Sequence, residues 1–379
     1  MKVALIHDHL AQDGGAEKVL KVLCEMYPDA PIYTLLYEKG NVDKNFKGRK
    51  IETSIIQRLP GGVRHYKWYL FFMPMAVEFF DLREYDLVIS DASAFAKGVI
   101  TTPETLHVCY CHTPTRYLWS DAHQYLNELK YNKWIKKAIS LILGRLRIWD
   151  YTAASRVDSF IANSETVRRR ITKYYRRDSE VIYPPVETEH FHITDISGQA
   201  SAERYFLLGC RLAPYKRADI VVQAFKALGD GYRLKIFGDG IDAPRLKKLA
   251  GDATNIEFLG RVNEERKADL YSQALAFINP QEEDFGITVV EAMASGRPVI
   301  AFRKGGATET VAEGKNGLFF DEQTPEALMA VVRKFQEGLD NGSLVWDSQE
   351  IRKEAEKYSV ANFRRHLGKF IDERLGKNL

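Results

Sequence analysis

Short apolar segments alternate with longer amphipathic segments along most of the chain. The segments Val3–His7, Asp86–Ser90, Leu106–Tyr110 and Ser159–Ala162 are short and mostly apolar, which is typical of strands buried on both faces, and EVIYPP follows a helical stretch in the same way. In the stretches between them apolar residues recur every three or four positions, as in Ala16–Met26, and this spacing predicts amphipathic helices. Strands that alternate with helices predict a parallel sheet with helices on both faces.

The same alternation begins again near residue 205. A predicted strand at Tyr205–Leu208 is followed by strands in YRLKIFG, IEFLG, LAFINP and PVIAF, each with a turn and a helical pattern after it. The stretch from about Pro184 to Glu203 is rich in proline and polar residues and lacks periodicity, as in a linker. We therefore predict two doubly wound domains, residues 1–190 and 203–355, and a C-terminal helix within residues 356–379 that packs toward the first domain.

Composition and charge exclude several classes of protein. With 45% hydrophobic and 28% charged residues the chain is typical of globular proteins, and a net charge of +3 gives no reason to expect nucleic acid as a partner. The start MKVALIHDH does not fit a signal peptide, and no apolar stretch reaches the roughly 20 residues of a membrane-spanning helix. The four cysteines lack zinc-site spacing and are expected to be free thiols in a reducing compartment. We therefore expect a cytoplasmic protein.

Candidate ligand-binding residues in the first domain follow predicted strands, because the carboxyl ends of parallel strands line the binding crevice. Gly14 and Gly15 lie between the first strand and the first helix, where glycine permits close approach of a ligand and the helix N-terminus attracts anions. Their spacing is not G-x-G-x-x-G, which argues against a nicotinamide dehydrogenase. His112 directly follows a buried strand, and both a structural and a catalytic role stay open for it.

The second domain has cations and glycines at equivalent positions. Arg211 and Lys216 lie between its first strand and first helix, and this pair suits a diphosphate, since arginine grips two oxygens and lysine supplies a point charge. Gly238 marks a later strand-end turn, and backbone groups near Val262 could contact a planar base. Each glycine signal also fits ordinary turn chemistry.

The segment EEDFGITVVEAMASGRPVIAF places two glutamates around a predicted helix start. Glu283 lies in a loop, and Glu291 lies about midway along a helix predicted from Gly286 to Ser295, about 12 Å away if all eight residues were helical. Free N–H groups at the helix start suit a diphosphate, so one ligand could place a sugar near Glu283 and a ribose at Glu291. The alternative is a core helix with two incidental acids, although the apolar neighbours of Glu291 indicate that it needs a partner.

Together these motifs resemble the retaining GT-B glycosyltransferases of family 4. The spacing Glu283-x7-Glu291 with Arg211 and Lys216 carries the resemblance. The stretches GGAEKVL, DLVISDASAFAKGV, YCHTPTRYLW, FIANSETVRRRI, VIYPPV and GCRLAPYKRADIVV are similar to the bacterial mannosyltransferase branch that builds O-antigen and exopolysaccharide. The resemblance implies an α/β protein of the GT-B fold, with two Rossmann-like domains that face a cleft. It also implies a reaction without metal or cofactor, and the sequence has no D-x-D motif.

The resemblance implies a role for each matching residue. Arg211 and Lys216 would hold the donor diphosphate as it leaves, Glu283 would contact hydroxyls of the donor sugar, and His112 would lie near its anomeric carbon. The other implied donor contacts are Gly14 and Gly15 at the phosphates, Val262 at the base with Lys267 nearby, Gly238 at its strand-end turn, Phe285, Gly286 and Ile287 at the helix start, and Glu291 at the ribose. The segment PYKRAD departs from the Lys-Gly of many members, which leaves a phosphate contact by Arg217 open.

The expected reaction retains the anomeric configuration through front-face attack, with a leaving-group oxygen accepting the acceptor's proton. The first expected donor is GDP-mannose, and the expected acceptor is a glycan or lipid-linked oligosaccharide of O-antigen, lipopolysaccharide or exopolysaccharide synthesis. A UDP-sugar transferase, a UDP-sugar 2-epimerase and a catalytically silent scaffold that binds nucleotide sugars are the alternatives. The presence of Arg211, Lys216, Glu283 and Glu291 argues against the silent scaffold.

A basic amphipathic helix is predicted after the His112 loop. No acidic residue occurs from Tyr131 to Ile148, and such a helix suits an anionic membrane surface. With the segment WYLFFMPMAVEFF it predicts peripheral contact with the cytoplasmic face of the inner membrane; the alternative is that both helices pack within the first domain. The apolar stripe of the predicted basic helix consists of Ile135, Ile139, Ile142, Leu146 and Trp149. Its other side carries Lys133, Lys136, Lys137, Gly144 and Arg147.

Overall fold

A computed structural model of the chain describes residues 1–11, 14–38, 40, 46–129, 131–196 and 204–376, without the side chains of residues 124 and 128. The chain forms two compact units, Met1–Pro185 with Phe363–Leu379, and Val186–Asn362. Residues 197–203 of the predicted linker, and the predicted start of the second domain at residue 203, lie outside the described residues.

The first unit is built on a seven-stranded parallel sheet. Its strands are β1 (Val3–His7), β2 (Ile32–Thr34), β3 (Ile51–Thr53), β4 (Leu87–Ala92), β5 (Leu106–Cys111), β6 (Ser159–Ala162) and β7 (Ser179–Val181). They lie in the order β3-β2-β1-β4-β5-β6-β7, and each neighbouring pair is parallel. The direction of winding reverses between β1 and β4, which makes the carboxyl ends of these two strands the topological switch point.

Helices connect the strands of the first unit. They are α1 (Gly15–Met26), α2 (Met73–Glu78), α3 (Ala122–Glu128), α4 (Lys133–Ser155) and α5 (Glu165–Tyr175), with 3₁₀ turns at Ile55–Arg58, Tyr66–Phe72 and Ala96–Gly98. Side-chain caps fix two of the starts: Asn132 accepts hydrogen bonds from the backbone of Trp134 and Ile135, and Ser164 accepts one from Val167.

The second unit contains a six-stranded parallel sheet. Its strands are β8 (Phe206–Gly209), β9 (Leu234–Phe237), β10 (Ile256–Gly260), β11 (Ala276–Asn279), β12 (Val299–Phe302) and β13 (Gly317–Phe320). Their order is β10-β9-β8-β11-β12-β13, and the switch point lies between β8 and β11. Its helices are α6 (Ala218–Leu228), α7 (Ala243–Ala250), α8 (Glu264–Ser272), α9 (Ile287–Ala294), α10 (Ala307–Thr310), α11 (Pro325–Asp340) and α12 (Ser348–Ala355), with 3₁₀ turns at Thr188–His190, Pro214–Lys216 and Glu356–Tyr358.

The last helix, α13 (Val360–Leu375), carries the chain from the second unit into the first. Within the first unit the Phe363 ring meets the ring of Tyr110 on β5 edge-on, with centroids 5.7 Å apart. Arg364 forms an ion pair with Glu25 of α1. Among the helices of the described residues, none combines the length and the apolar character needed to span a bilayer.

The structure confirms the prediction of two parallel-sheet domains and adds three strands that the pattern did not reveal. Strands β2 and β3 have only three residues each, and all three residues of β3 are only partly buried, so neither forms an apolar run. Strand β13 begins at a glycine and follows a turn. Short edge and near-edge strands obtain their conformation from the neighbouring strand rather than from their own sequence.

Candidate functional site

At the switch point of the second sheet, the loop after β8 meets the loop after β11. Lys216 ends the 3₁₀ turn of the first loop, and Glu283 lies on the second. The Lys216 ammonium forms an ion pair with Glu283 Oε1, and the two side chains are 16% and 24% exposed. Two of the four predicted catalytic residues are therefore in direct contact.

This contact stabilises the charged form of Lys216. Burial disfavours the ammonium, but the Glu283 carboxylate outweighs burial and raises the pKa of Lys216 above its ordinary value. Arg211, on the same loop, is exposed. Two cationic side chains thus lie on the loop after β8, and the Glu283 carboxylate balances the charge of one of them.

The Glu283 loop packs closely against two glycines that follow β12. Gly306 donates its backbone N–H to the carbonyl of Glu283 at 2.8 Å, and a Cβ on Gly305 would lie 2.2 Å from that carbonyl. A Cβ on Gly306 would lie 2.3 Å from the Cα of Phe285. Neither glycine was predicted from the sequence, although a glycine pair between a strand and a helix was the signal used for Gly14 and Gly15.

Helix α9 begins close to the predicted position. Gly286 is its N-cap residue, with the left-handed backbone angles φ 95° and ψ 66°, and Ile287 is the first helical residue. The Phe285 side chain is 3% exposed and packs against the ring of Tyr358 at 5.4 Å. This side chain therefore belongs to the core and fixes the loop, and the donor contact of Phe285 stays a prediction.

Glu291 is buried inside the second unit and has the partners that its apolar neighbours predicted. Lys267 Nζ lies 3.1 Å from Glu291 Oε1, and the hydroxyl of Tyr271 donates to Glu291 Oε2 at 3.2 Å. Lys267 also pairs with Glu264 at 2.6 Å. Both carboxylate oxygens of Glu291 already accept hydrogen bonds, so a ribose would have to share them.

Gly238 has a structural explanation that requires no ligand. Its φ of 111° is left-handed, and a Cβ there would lie 1.9 Å from the carbonyl oxygen of Cys210. Val262 is half-buried two residues after β10. Neither observation assigns a base-binding role to these two positions.

In the first unit the predicted residues lie near the switch point between β1 and β4. Gly14 is the N-cap residue of α1 and Gly15 is its first residue, whereas residues 12 and 13 of the same loop lie outside the described residues. His112 follows β5 directly, and its Nε2 lies 2.5 Å from Oδ1 of Asp91, the next-to-last residue of β4. The His112 side chain is 12% exposed, so it combines a buried partner with access to solvent.

The predicted apolar stripe of α4 faces mainly inward. Leu146 is buried, Ile139 and Ile142 pack against the core, and the indole of Trp149 donates to Glu78 at 2.8 Å. Of that stripe only Ile135 is largely exposed, so the alternative of packing within the domain is right for most of it. The structure exposes other large apolar side chains instead: Trp134, Leu141, Ile148 and Tyr151 on α4, and Trp68, Phe71, Phe72, Met75 and Phe79 around α2.

Within the described ranges, no group of three or more histidine, cysteine, aspartate and glutamate side chains is arranged to hold a metal ion. All four cysteines are free thiols, as predicted, with Cys24, Cys109 and Cys111 buried and Cys210 half-buried.

Comparison with known families covers nearly the whole chain. A model described as "Glycosyltransferase Family 4" matches residues 13–190, and one described as "Glycosyl transferases group 1" matches residues 192–355. The chain belongs to glycosyltransferase family 4. This confirms the resemblance to family 4, whereas the mannosyltransferase branch and the retaining mechanism stay predictions.

Two curated relatives of this family 4 protein show how far the similarity extends. The D-inositol 3-phosphate glycosyltransferase of Streptomyces avermitilis is 28% identical over 222 residues, which cover 51% of this chain and 46% of that protein. The GDP-mannose-dependent alpha-(1-6)-phosphatidylinositol monomannoside mannosyltransferase of Mycobacterium tuberculosis is 32% identical over 175 residues, which cover 40% and 45%. The chain thus spans about half the length of the curated relatives it matches.

Solved structures resemble the family 4 chain over almost its full length. The Anabaena protein HepE in complex with UDP has a TM-score of 0.72 at 17% identity, covering 98% of this chain and all (100%) of that chain. The sucrose-phosphate synthase of Thermosynechococcus elongatus has a TM-score of 0.76 at 15% identity, with 100% of both chains covered. At these identities the likeness concerns the fold, and it confirms the GT-B fold class.

Proposed function

We propose that this family 4 protein transfers a hexose from a sugar nucleotide to a glycan or lipid-linked oligosaccharide during synthesis of a cell-surface polysaccharide. The observation that carries the proposal is the Lys216–Glu283 pair at the switch point of the second sheet, where ligands bind in open parallel sheets. GDP-mannose is the first donor to test, because a relative is named as a GDP-mannose-dependent mannosyltransferase and the motifs resemble the O-antigen branch.

In the proposed reaction, the bond between the anomeric carbon and the diphosphate oxygen breaks, and its electron pair stays with the diphosphate. The acceptor oxygen attacks from the same face, and its proton passes to the departing oxygen, so configuration is retained. Arg211 and Lys216 compensate the negative charge that develops on the diphosphate, which is the role of Mg²⁺ in many other phosphate-transferring enzymes. We assign to Glu283 and His112 the contacts with the sugar, and the proposal includes no metal or cofactor.

The N-terminus of α9 is the proposed site for donor phosphate. A helix start offers unpaired backbone N–H groups, and the left-handed Gly286 sets the direction in which α9 leaves the Glu283 loop. Gly305 and Gly306 hold that loop from the other side. The phosphate and the Lys216–Glu283 pair are therefore proposed to share one strand end.

The donor is tested by thermal unfolding with GDP-mannose, UDP-glucose, UDP-GlcNAc and UDP-galactose, and with Lys216→Gln as the control variant. A ligand at 100 times its Kd stabilises the folded protein by about 2.7 kcal/mol. We expect GDP-mannose to raise the unfolding temperature of the natural protein and to do so less for Lys216→Gln. A shift with UDP sugars alone would exclude the mannosyl donor, and no shift with any sugar nucleotide would contradict the whole proposal.

Turnover separates the remaining alternatives. Conversion of a UDP-sugar without any acceptor would favour the 2-epimerase, and binding without release of nucleotide would favour the silent scaffold. Transfer that survives unchanged in Glu283→Ala would contradict the assignment of Glu283.

We also propose that the first unit contacts an anionic membrane surface, which would give access to a lipid-linked acceptor. Support comes from Trp134, Leu141 and Ile148, which are 69–70% exposed at a spacing of seven residues, and thus occupy one side of α4. The five cations Lys133, Lys136, Lys137, Arg145 and Arg147 lie in the same helix without an acidic residue before Asp150. Exposed aromatic and apolar residues beside basic ones are typical of interfacial helices.

Co-sedimentation with liposomes tests this surface. We expect binding to vesicles of phosphatidylcholine with phosphatidylglycerol, weaker binding to pure phosphatidylcholine, and loss of binding in Trp134→Glu with Leu141→Glu. Val345→Glu is the matched control, because Val345 is a similarly exposed apolar residue (83%) in the second unit. Binding that is absent, or equally reduced by Val345→Glu, would contradict the membrane proposal.

A further inference from the structure

A buried carboxylate joins two histidines at the switch point of the first sheet. Asp91 Oδ1 lies 2.5 Å from His112 Nε2, and Asp91 Oδ2 lies 2.8 Å from His7 Nδ1. The sheet register explains this arrangement, because His7 on β1 is directly opposite Asp91 on β4, and His112 follows the next strand, β5. Each oxygen of the Asp91 carboxylate therefore has its own imidazole partner.

The second nitrogen of His7 faces another carboxylate. His7 Nε2 lies 3.7 Å from Glu17 Oε1, and Glu17 Oε2 accepts the backbone N–H of Gly14 at 2.9 Å. A Cβ on Gly14 would lie 2.9 Å from the same oxygen, and the φ of Gly14, −134°, is open to any residue. Glycine at position 14 is thus explained by the space that Glu17 occupies.

These contacts stabilise the charged forms of His7 and Asp91. Burial of His7 disfavours its charged form, but the hydrogen bond to Asp91 and the nearby Glu17 carboxylate outweigh burial and raise the pKa of His7 to about 10. Burial also opposes ionisation of Asp91, yet His112 and His7 lower its pKa below the ordinary value. A cationic His7 thus holds the Asp91 carboxylate charged although its side chain is fully shielded from solvent.

The charge on Asp91 determines which ring nitrogen of His112 carries a proton. A carboxylate only accepts hydrogen bonds, so the nitrogen of His112 that faces it, Nε2, carries the proton. In the neutral ring the lone pair is then on Nδ1, which is left to meet a ligand. The ring of Tyr110, edge-on at 5.2 Å, supports the same orientation.

We propose that Asp91 is a positioning residue, which fixes the ring orientation and tautomer of His112 for contact with the donor sugar, and that His7 is the cation that holds Asp91 in place. The inference rests on the proposed sugar contact of His112. Asp91 itself has no exposed side-chain surface and acts through the histidine. The geometry resembles the carboxylate–imidazole pairs that orient catalytic histidines in other enzymes.

Kinetics of Asp91→Asn, His112→Ala and the double variant test the inference with the sugar nucleotide that the natural protein turns over. We expect Asp91→Asn to lower kcat by about 10- to 100-fold with little change in KM, because the reacting geometry is lost rather than binding. In the His112→Ala background the same change should cost less than about threefold. Losses that multiply would show that Asp91 acts independently of His112 and would overturn the proposal.

A matched control separates positioning from simple destabilisation. Ser90 lies next to Asp91 on β4, and its hydroxyl pairs with Nε2 of His107 on β5 at 2.9 Å, also between these two strands. Ser90→Ala should lower the unfolding temperature without a comparable loss of kcat. A kcat loss in Ser90→Ala as large as that of Asp91→Asn would assign Asp91 a merely structural role.

Nitrogen NMR of the natural protein gives a readout that needs no turnover. We expect His112 in its neutral form to carry its proton on Nε2, and a proton on Nδ1 would overturn the inference even if Asp91→Asn did not fold. If the natural protein released no nucleotide from any sugar nucleotide, the proposed transferase function would fail, whereas this tautomer measurement would still decide the role of Asp91.

Discussion

Lys216 and Glu283 form an ion pair with each other, although 67 residues separate them in the chain. Both residues are proposed to contact the donor, one through its diphosphate and one through its sugar. We therefore expect the donor phosphate to compete with the Glu283 carboxylate for the Lys216 ammonium. In this interpretation, Lys216 exchanges its carboxylate partner for phosphate when the donor binds.

Exchange of this contact predicts opposite effects of two substitutions on the binding of GDP and UDP. Lys216→Gln should weaken binding at least tenfold, because a cation that meets the diphosphate is lost. Glu283→Gln should leave binding unchanged or strengthen it by a factor of about 3 to 10, since a partly exposed pair contributes only up to about 1 kcal/mol. Isothermal titration calorimetry measures both constants. Equal weakening by both substitutions would contradict the exchange.

His7 predicts a dependence of stability on alkaline pH. Its folded-state pKa of about 10 lies above the unfolded value near 6.5, so its contribution is complete below pH 6.5 and is lost as the pH rises toward 10. The stability difference between the natural protein and His7→Gln should therefore narrow by up to about 1.4 kcal/mol per pH unit over this range. Urea unfolding followed by tryptophan fluorescence measures it, because four of the five tryptophans lie in the first unit.

His107 is the matched control for that measurement, with the opposite sign. Burial lowers the pKa of His107 to about 3, so the folded protein keeps it neutral, and its contribution is lost as the pH falls from 6.5. The difference between the natural protein and His107→Gln should narrow toward acid rather than toward alkali. A difference for His7→Gln that stays constant from pH 6 to pH 10 would show that His7 is not the buried cation inferred above.

We expect Gly286→Ala to weaken nucleotide binding, because alanine disfavours the left-handed backbone conformation of residue 286. The nearest atom to an added Cβ is 3.5 Å away, so space is sufficient, but the left-handed φ of 95° costs an alanine about 1–2 kcal/mol. Relief of that strain would turn the start of α9 and weaken GDP or UDP binding, measured by calorimetry. Gly314→Ala has a similar φ of 77° with no atom within 4 Å, and it should lower stability comparably while leaving binding intact.

We expect Arg176→Gly to stabilise the folded protein against unfolding. Arg176 is the exposed C-cap residue of α5 and has a left-handed φ of 56°, a position at which glycine is favoured. The substitution should raise the free energy of unfolding by about 1 kcal/mol. Arg177→Gly is the control: Arg177 donates to the carbonyls of Ala154, Ser155 and Asp158, so its loss should destabilise. A destabilised Arg176→Gly would contradict the argument from strain.

The sequence predicted that Lys216 and Glu283 lie at the same end of the second sheet, because each follows its own apolar strand, but it did not predict that they pair. Parallel strands end at the same edge of a sheet, so Lys216 after β8 and Glu283 after β11 had to lie near each other once these strands were neighbours. The sequence indicated that Glu291 needs hydrogen-bond partners, because a buried carboxylate requires them, but it did not indicate which residues they are. Lys267 and Tyr271 come from a different helix, α8, whose approach depends on the assembled core.

Asp91 directly follows the predicted strand Asp86–Ser90, as His112 follows its own strand, but it was not selected as a candidate; in the structure the strand extends to Ala92 and includes Asp91. In DLVISDAS it reads as the polar end of an apolar run, and its role appears only when the register places it opposite His7. Whether the apolar stripe of α4 faces the core or a membrane was left open for a related reason. Amphipathicity shows that a helix has an apolar side, whereas the neighbours of that side, such as Glu78 beside Trp149, are decided by tertiary packing.

The path of α13 sets the order in which the protein can be completed during synthesis. Residues from Phe363 onward supply the ring against Tyr110 and the cation that pairs with Glu25, yet they leave the ribosome only after the whole second unit. All residues of the second unit are thus translated before this segment, whereas the first unit gains these two contacts only from a segment translated more than 170 residues after β7. A stop codon just before residue 363 would be expected to damage the half of the protein that was translated first.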